Sequence, residues 1–358
     1  MSHGLSIRGD SLYCPLCFSL DSYGDCLNDC WHCYLRRLNH IWNNGLNPID
    51  PNELESKLVN GLKNSSPKTS LAHAIKKKKV LRFGNKTDPF QKSEREYRIS
   101  QQCIKILKKL EWPFVIQTMV TEIMMDYFDD IVSCKNFGIV QPIISCGVEK
   151  DWEVLERQRT TPISHRFTHI ALLKREGMQV AVNGEPFIPG WHTVEQFEDM
   201  LKRLKSEGIN RYNIYNFHFN DFVAKRLLDI GLDIMAIWEG NQDENWKPIQ
   251  QKLIDLAKKY DIILGCPDFV NTGSYFQKAN TCCGVDVSNP MTFNTHTWKR
   301  ILQQNPKMEV EEILSSTWDG IGDFEEGRKI LTGDSKGFYT MKDIPEISLP
   351  KKKRGFLI

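Results

Sequence analysis

Several things are missing from this 358-residue chain, and each absence narrows its class. No stretch approaches the roughly 18 consecutive apolar residues that a membrane-spanning helix needs. The opening Met1-Ser2-His3-Gly4 lacks a basic region followed by an apolar one, so no secretory leader is expected. A dominant charge is missing too. Lys plus Arg number 47 against 45 Asp plus Glu, a net +2, and no global field selects a polyanionic partner. The cysteine count is 11, an odd number with tight spacings, which is not the pattern of a secreted disulfide framework. The chain therefore reads as a cytoplasmic protein in a reducing compartment. There is no internal repeat and no low-complexity block, which excludes solenoids and arrays. The length admits one large domain, or a domain with an extension, that buries its own core.

The cysteines that are present concentrate near the start. Cys26-Leu27-Asn28-Asp29-Cys30-Trp31-His32-Cys33-Tyr34 places three of them in a C-x3-C-x2-C spacing with an aromatic directly after. Three thiolates on one loop can hold three corners of a [4Fe–4S] cube and leave the fourth iron for an exogenous ligand, since such a cluster normally takes four cysteines. A zinc knuckle completed by His32 or His40 is the alternative reading. Cys14 and Cys17 form a separate C-x-x-C, half a metal site, which Cys282 and Cys283 or Cys266 can complete; ordinary buried thiols explain the same residues. Two basic runs, Lys76–Lys79 and Lys351–Arg354, read as solvated rims or as phosphate contacts.

Along the chain, a first strand within 11–20 feeds the cysteine loop. Asp50 and Pro51 open a helix as N-cap and first residue; residues 63–79 read as a polar loop. Strand 80–83, helix 93–110, strand 113–118, helix 122–134, strand 138–145, helix 162–176, strand 178–184, helix 193–207 and strand 210–217 follow. This alternation gives parallel βαβ units. The expected fold is α/β, a partial (β/α)6 TIM-type barrel over residues 1–218 with the cysteine loop at its N-terminal end. Residues 219–358 form an irregular α/β extension that completes the barrel or covers its mouth and ends in a basic tail. Within the extension, 221–230 and 246–260 read as helices, 234–238 and 262–266 as buried strands, and 296–304 and 308–316 as helices. Side chains alternate along a strand. Gln117, Gln141, Ser145, Asn183, Glu185, Asn213 and Tyr215 then share the inner face, while Val140, Ile144, Val180, Val182 and Ile214 face outward. A barrel that is only packed fills its interior with branched aliphatics. Buried polar groups need partners, which a polar ligand supplies. Glu185 and Tyr215 are the candidate catalytic residues.

The cysteine motif resembles that of the radical S-adenosylmethionine (SAM) superfamily. Ser22-Tyr23-Gly24, the stretch Gly84-Asn85-Lys86-Thr87-Asp88-Pro89-Phe90-Gln91 with Glu94, and Glu156, Arg166, Gly177 and Pro186–Gly190 resemble its spore photoproduct lyase-like branch, over roughly residues 20–218. The resemblance implies a [4Fe–4S] cluster on Cys26, Cys30 and Cys33, SAM on its open iron, reductive cleavage of SAM and hydrogen-atom abstraction from a substrate. It implies SAM contacts at Thr87 and Ser145, with Asn85, Asn183 and Tyr34 as further cofactor-side candidates. It also implies an electron donor such as flavodoxin or ferredoxin. Two positions depart from the branch. Met119 stands where a lysine contacts SAM, and Asn85 stands where the lyase carries its hydrogen-returning cysteine. Thymine-dimer repair is thus not the expected reaction. Three functions compete: a radical SAM enzyme acting on a base in DNA or another nucleic acid, one acting on a small molecule or peptide, and a non-catalytic zinc and nucleic-acid-binding module. Trp152, Trp191, Trp238 and Trp246 are aromatics that can stack on bases in the first and third.

Overall fold

The computed structural model describes residues 4–7, 16, 18–33, 35, 45–214, 217, 219–265 and 284–285. Strands β1 (Gly4–Ile7) and β2 (Phe18–Asp21) form an antiparallel pair. The pair follows the sequence expectation only in β2; β1 was not foreseen. From β2 onward the neighbours are parallel: β3 (Leu81–Phe83), β4 (Phe114–Thr118), β5 (Gly138–Pro142) and β6 (Gln179–Val180) complete a six-stranded sheet. A second, three-stranded sheet holds β7 (Val182–Asn183), β8 (Arg211–Asn213) and β9 (Ile263–Gly265), again parallel. A parallel bridge between Ile143 and Asn183 carries the first sheet into the second. The architecture is the expected open, parallel α/β partial barrel, and β9 adds a parallel position from beyond residue 218.

The helices pack outside. Helix α1 (Pro51–Lys63) starts as the sequence indicates, with the Asp50 side chain accepting Asn52 N at 2.8 Å. The stretch 63–79 is not a plain loop, because Thr69 caps a helix α2 (Ser70–Lys76) through Ala72 N. The predicted helix 93–110 is two, α3 (Glu94–Tyr97) and α4 (Ile99–Lys109), broken at Arg98 with φ +52°. The predicted 122–134 helix is likewise α5 (Thr121–Met125) and α6 (Phe128–Val132). Helices α7 (Glu149–Val154), α8 (Ile163–Arg175) and α9 (Val194–Ser206) follow, the last with a Thr193–Gln196 capping box.

Helices α10 (Asp221–Asp229), α11 (Ile234–Gly240) and α12 (Asp243–Lys259) complete the set. Helix α11 corrects the reading of 234–238 as a buried strand. Asp233 caps it by accepting Ala236 N at 3.0 Å, and within Ile234–Gly240 only Ile237 is fully buried, as one face of a short helix requires. The run Lys76–Lys79 is not wholly a rim either. Lys79 is buried, and its carbonyl accepts Trp112 Nε1 at 3.0 Å. No helix among the described residues is long and apolar enough to cross a membrane. Cys14, Cys17, Tyr34, His40, Tyr215, Cys266, Cys282, Cys283, the helices expected at 296–304 and 308–316 and the basic run 351–354 lie outside the described residues.

Strands β2, β3, β4, β5, β7 and β8 are buried on both faces. Outward, Phe114, Ile116 and Val140 join one core with α1 and α4, while Ile144, Val182 and Ile214 join a second with α8, α9 and α12. Inward, the floor is apolar: Leu16, Val80, Val115, Ile139 and Val285. One residue further up the same faces, Gln117 and Gln141 take over. The two halves meet closely at Gly184, where an added Cβ falls on the ring of the buried Tyr212. Tyr212 in turn donates its hydroxyl to Ile144 O at 3.0 Å. Gly184→Ala must displace that ring and is expected to cost about 1–3 kcal/mol, read as a lower urea midpoint at unchanged m-value.

Candidate active site

The loop 26–33 leaves the carboxyl end of β2, the end at which parallel α/β folds bind ligands. Its shape is fixed from both sides. Gln91, fully buried, accepts Leu27 N at 2.5 Å through Oε1 and donates Nε2 to Asp25 O at 2.7 Å. Asp88 collects four donors: Thr118 Oγ1 at 2.7 Å, Phe90 N at 3.0 Å, Met119 N at 2.8 Å and Asn28 Nδ2 at 3.3 Å. Across the mouth, Trp31 N donates to Leu155 O at 2.8 Å. Beneath the loop, Asp21 accepts the backbone N–H groups of Asn85, Lys86 and Thr87 at 2.9, 2.7 and 3.1 Å. Glu94 accepts the Tyr23 hydroxyl and the N–H groups of Ser100 and Gln101, both at 3.0 Å. The motif residues Tyr23, Asp88, Gln91 and Glu94 are thus the frame of the loop.

None of Cys26, Cys30 and Cys33 is in a disulfide. Burial, the charge of Asp88 and the neighbouring Cys33 push Cys26 up to about 12. Burial, Glu156 and the other two thiols push Cys30 well above the usual range. Three mutually repelling thiols held together in a buried loop become thiolates only when a metal's positive charge compensates them. Burial lowers the imidazole of His32, and its Nδ1 is buried with no hydrogen-bond partner. This donor set, with an orphaned nitrogen beside it, fits an iron–sulfur cluster. Among the described residues no three His, Cys, Asp or Glu side chains converge as a preformed single-ion site. Met119 Sδ lies 3.8 Å from Cys30 Sγ, so the residue in the lysine position borders the thiol group directly.

The inner-face residues are brought together. Gln117 Nε2 donates to Gln141 Oε1 at 2.5 Å, Gln141 Nε2 to Asn213 Oδ1 at 3.4 Å, and Asn213 Nδ2 to Glu185 Oε1 at 3.0 Å. Asn183 Oδ1 accepts Glu185 N at 3.0 Å. Each amide in this ladder donates its NH2 to the next acceptor, and the run ends on the Glu185 carboxyl group. Ser145 and Thr87 sit apart from the ladder. Thr87 donates its hydroxyl to Tyr23 O at 3.3 Å. Ser145 donates to Asp151, which also accepts Trp191 Nε1 and His192 Nε2, both at 2.7 Å. Ile188 N donates to His192 Nδ1 at 2.8 Å, a geometry that requires the neutral Nε2–H form and that stands against the upward push of Cys146 and the Asp151 carboxylate on this buried imidazole. Burial opposes ionisation of Asp151, yet its three donors hold the carboxyl below the usual range. Sequence reasoning missed Asp151 and His192. The one signal was Gly147, where any Cβ lands on the Asp151 carboxylate.

Below Cys30, Arg166 is fully buried. It pairs with Glu156 and donates to Thr161 O at 2.7 Å, Ile143 O at 2.5 Å and Thr160 Oγ1 at 2.8 Å. It thereby ties the end of β5 to the segment 156–161.

No family model matches the chain. A curated relative, the radical SAM Nα-GlyT isomerase of Pseudomonas phage M6, is 24% identical over 128 residues, 36% of this chain and 26% of that protein. The chain therefore matches about a quarter of that relative's length. Among solved structures, spore photoproduct lyase complexed with a dinucleoside spore photoproduct superposes with a TM-score of 0.53 at 10% identity, covering 72% of this chain and 79% of that one. Streptococcus suis SuiB bound to the precursor peptide SuiA gives 0.48 at 11% identity, covering 76% and 52%. The fold is similar to that of these radical SAM proteins, and the phage relative is similar to part of the chain in sequence. The cofactors of such proteins are a [4Fe–4S] cluster and SAM, and Cys26, Cys30 and Cys33 are the residues here that fit the cluster.

Arg166→Met leaves the Glu156 carboxylate buried without its guanidinium. The expected loss is about 3–5 kcal/mol of stability, measured by urea unfolding of the metal-free chain. The double variant with Glu156→Leu should recover a large part of it.

Proposed function

We propose that this chain is a radical SAM enzyme whose substrate is a base, modified or not, in DNA or another nucleic acid. The observation that carries the proposal is the placement of three cysteines on a braced loop at the carboxyl end of a parallel partial barrel with a polar interior. When bound there, a [4Fe–4S] cluster supplies the electron that breaks the SAM C5′–S bond and so starts hydrogen-atom abstraction. The chain's own residues do the rest. Cys26, Cys30 and Cys33 hold the cluster, and Gln91, Asp88 and Trp31 keep their loop in place. The mouth residues Thr87, Ser145, Asn85 and Asn183 are the SAM-side candidates. The Gln117–Gln141–Asn213–Glu185 ladder offers fixed, in-plane donors and acceptors, which suit the hydrogen-bonding edge of a base. Glu185, at the end of that ladder, remains the candidate catalytic group. The phage relative is a radical SAM Nα-GlyT isomerase, which supports radical SAM chemistry for this chain. A low-potential donor of the flavodoxin or ferredoxin class supplies the electron, and the compartment is a reducing cytoplasm.

Anaerobic purification with iron and sulfide analysis, followed by dithionite and SAM, tests the chemistry. About four irons per chain are expected for one [4Fe–4S] cluster, with 5′-deoxyadenosine released by the unaltered chain and not by Cys30→Ala. About eight would assign a second cluster to the remaining cysteines. Zinc in place of iron, without cleavage, would leave a metal-stabilised binding protein. Retention of a single-stranded oligonucleotide that weakens with salt, at a slope of several phosphates, supports the nucleic-acid substrate; its absence favours a small molecule or peptide.

A further inference from the structure

The middle of the cysteine loop is gripped by a group of residues that the cluster motif does not contain. Asp29 directly precedes Cys30 and adopts a left-handed backbone, φ +50°. Its carboxylate meets three arginines. Arg226 Nη2 donates to Oδ1 at 2.9 Å and also to the Asp29 carbonyl at 3.2 Å. Arg159 Nη1 reaches Oδ2 at 3.4 Å, and Arg157 Nη1 donates to the same oxygen. Trp31, directly after Cys30, lies between two of these cations. The Arg157 guanidinium is 4.7 Å and that of Arg226 5.1 Å from its ring centroid. Both residues flanking Cys30 are therefore held by side chains from elsewhere: Arg157 and Arg159 from the turn after α7, and Arg226 from α10.

The charges in this group do not cancel. Three guanidiniums, ionised at any working pH, face one carboxylate, a surplus of two positive charges at the latch itself. The nearby buried Glu156 does not draw on that surplus, because Arg166 already pairs with it. The side chains of Arg157, Arg226 and Asp29 are 27%, 12% and 23% exposed, so solvent and salt screen them less than surface charges. We propose that Asp29, Arg157, Arg159 and Arg226 are positioning residues that clamp Cys30 and set the reduction potential of the cluster. The proposal rests on the radical SAM reading above. A cluster on three thiolates gains negative charge when reduced, and net charge and surroundings set its potential. Surplus guanidinium charge one residue from a ligand favours the reduced state. The chain thus contributes to the reducibility of its cluster from residues outside the cysteine motif, α10 among them.

The test uses the full chain, reconstituted anaerobically and titrated with dithionite while the reduced-cluster EPR signal is followed, together with the rate at which a chelator removes iron. Arg159→Gln removes a half-exposed charge that makes a single long contact. It should lower the ratio of reduced to oxidised cluster about tenfold at a fixed potential, a shift of about 59 mV to more negative values for a one-electron couple, with the circular dichroism unchanged. Asp29→Asn removes a negative charge and should shift the potential the opposite way while accelerating iron loss, because the clamp on Cys30 weakens. Arg226→Lys keeps the charge and gives up the fork; the potential should stay near that of the unaltered chain while iron leaves faster. Potentials that do not move, or that move in the same direction for Arg159→Gln and Asp29→Asn, would show the arginines to be packing only and overturn the proposal. An unaltered chain that takes up neither iron nor sulfide would instead overturn the radical SAM reading, and the proposal with it.

Discussion

The carboxylate of Asp88 is the junction on which the mouth of this barrel depends. Its two oxygens receive donors from the cysteine loop, from its own turn after β3, and from the end of β4. Parallel strands deliver their carboxyl ends to one side of the sheet but do not fix the loops that leave them. Backbone N–H groups at those ends have no ladder partner, and burial without one costs free energy. Asp88, Asp21 and Glu94 meet that requirement with carboxylates. Burial pushes all three upward in pKa while the donors around them oppose it. Each joins segments far apart in sequence, so the cysteine loop inherits its shape from β3 and β4 rather than from its own residues.

This bracing bears on the chemistry. A loop whose three thiols would repel one another once ionised keeps them adjacent because the surrounding structure enforces it. Gln91 grips the loop at Asp25 and Leu27, Asn28 reaches Asp88, and Trp31 is bonded to Leu155. The frame is made of the chain's own hydrogen bonds, so the loop is ordered as part of the barrel. A preorganised site spends less of its binding free energy on ordering its own groups.

The sequence shows its periodic parts well. Alternating strand and helix signals gave the open parallel α/β barrel, and the strand faces put Gln117, Gln141, Asn213 and Glu185 on one side, where they form a hydrogen-bonded chain. Periodicity failed where elements are short. Ile234–Gly240 reads as an apolar run, and only its cap and its single fully buried residue identify it as a helix. Arg98 breaks a helix through a positive φ that arginine does not advertise. Within the site, Asp29, Asp151 and His192 left no pattern because the contacts that join Asp29 to Arg157 and Asp151 to Trp191 and His192 span 40 or more positions. Long-range polar contacts of this kind have no period to read.

The amide ladder and the arginine group assign different tasks to different levels of the barrel. On the floor, Val115 and Ile139 close the interior with apolar volume. Above them the ladder is uncharged until it reaches Glu185, so a ligand there meets directional hydrogen bonds with little net field. At the rim, by contrast, charge dominates through Arg157, Arg159 and Arg226. Charge acts over a distance and is suited to biasing a redox centre, whereas neutral amides act only at contact and are suited to reading shape. The strands supply the apolar floor and the neutral amides above it, whereas the turn after α7 and helix α10 supply the cationic rim, so the two upper levels rest on different elements and either can change without the other.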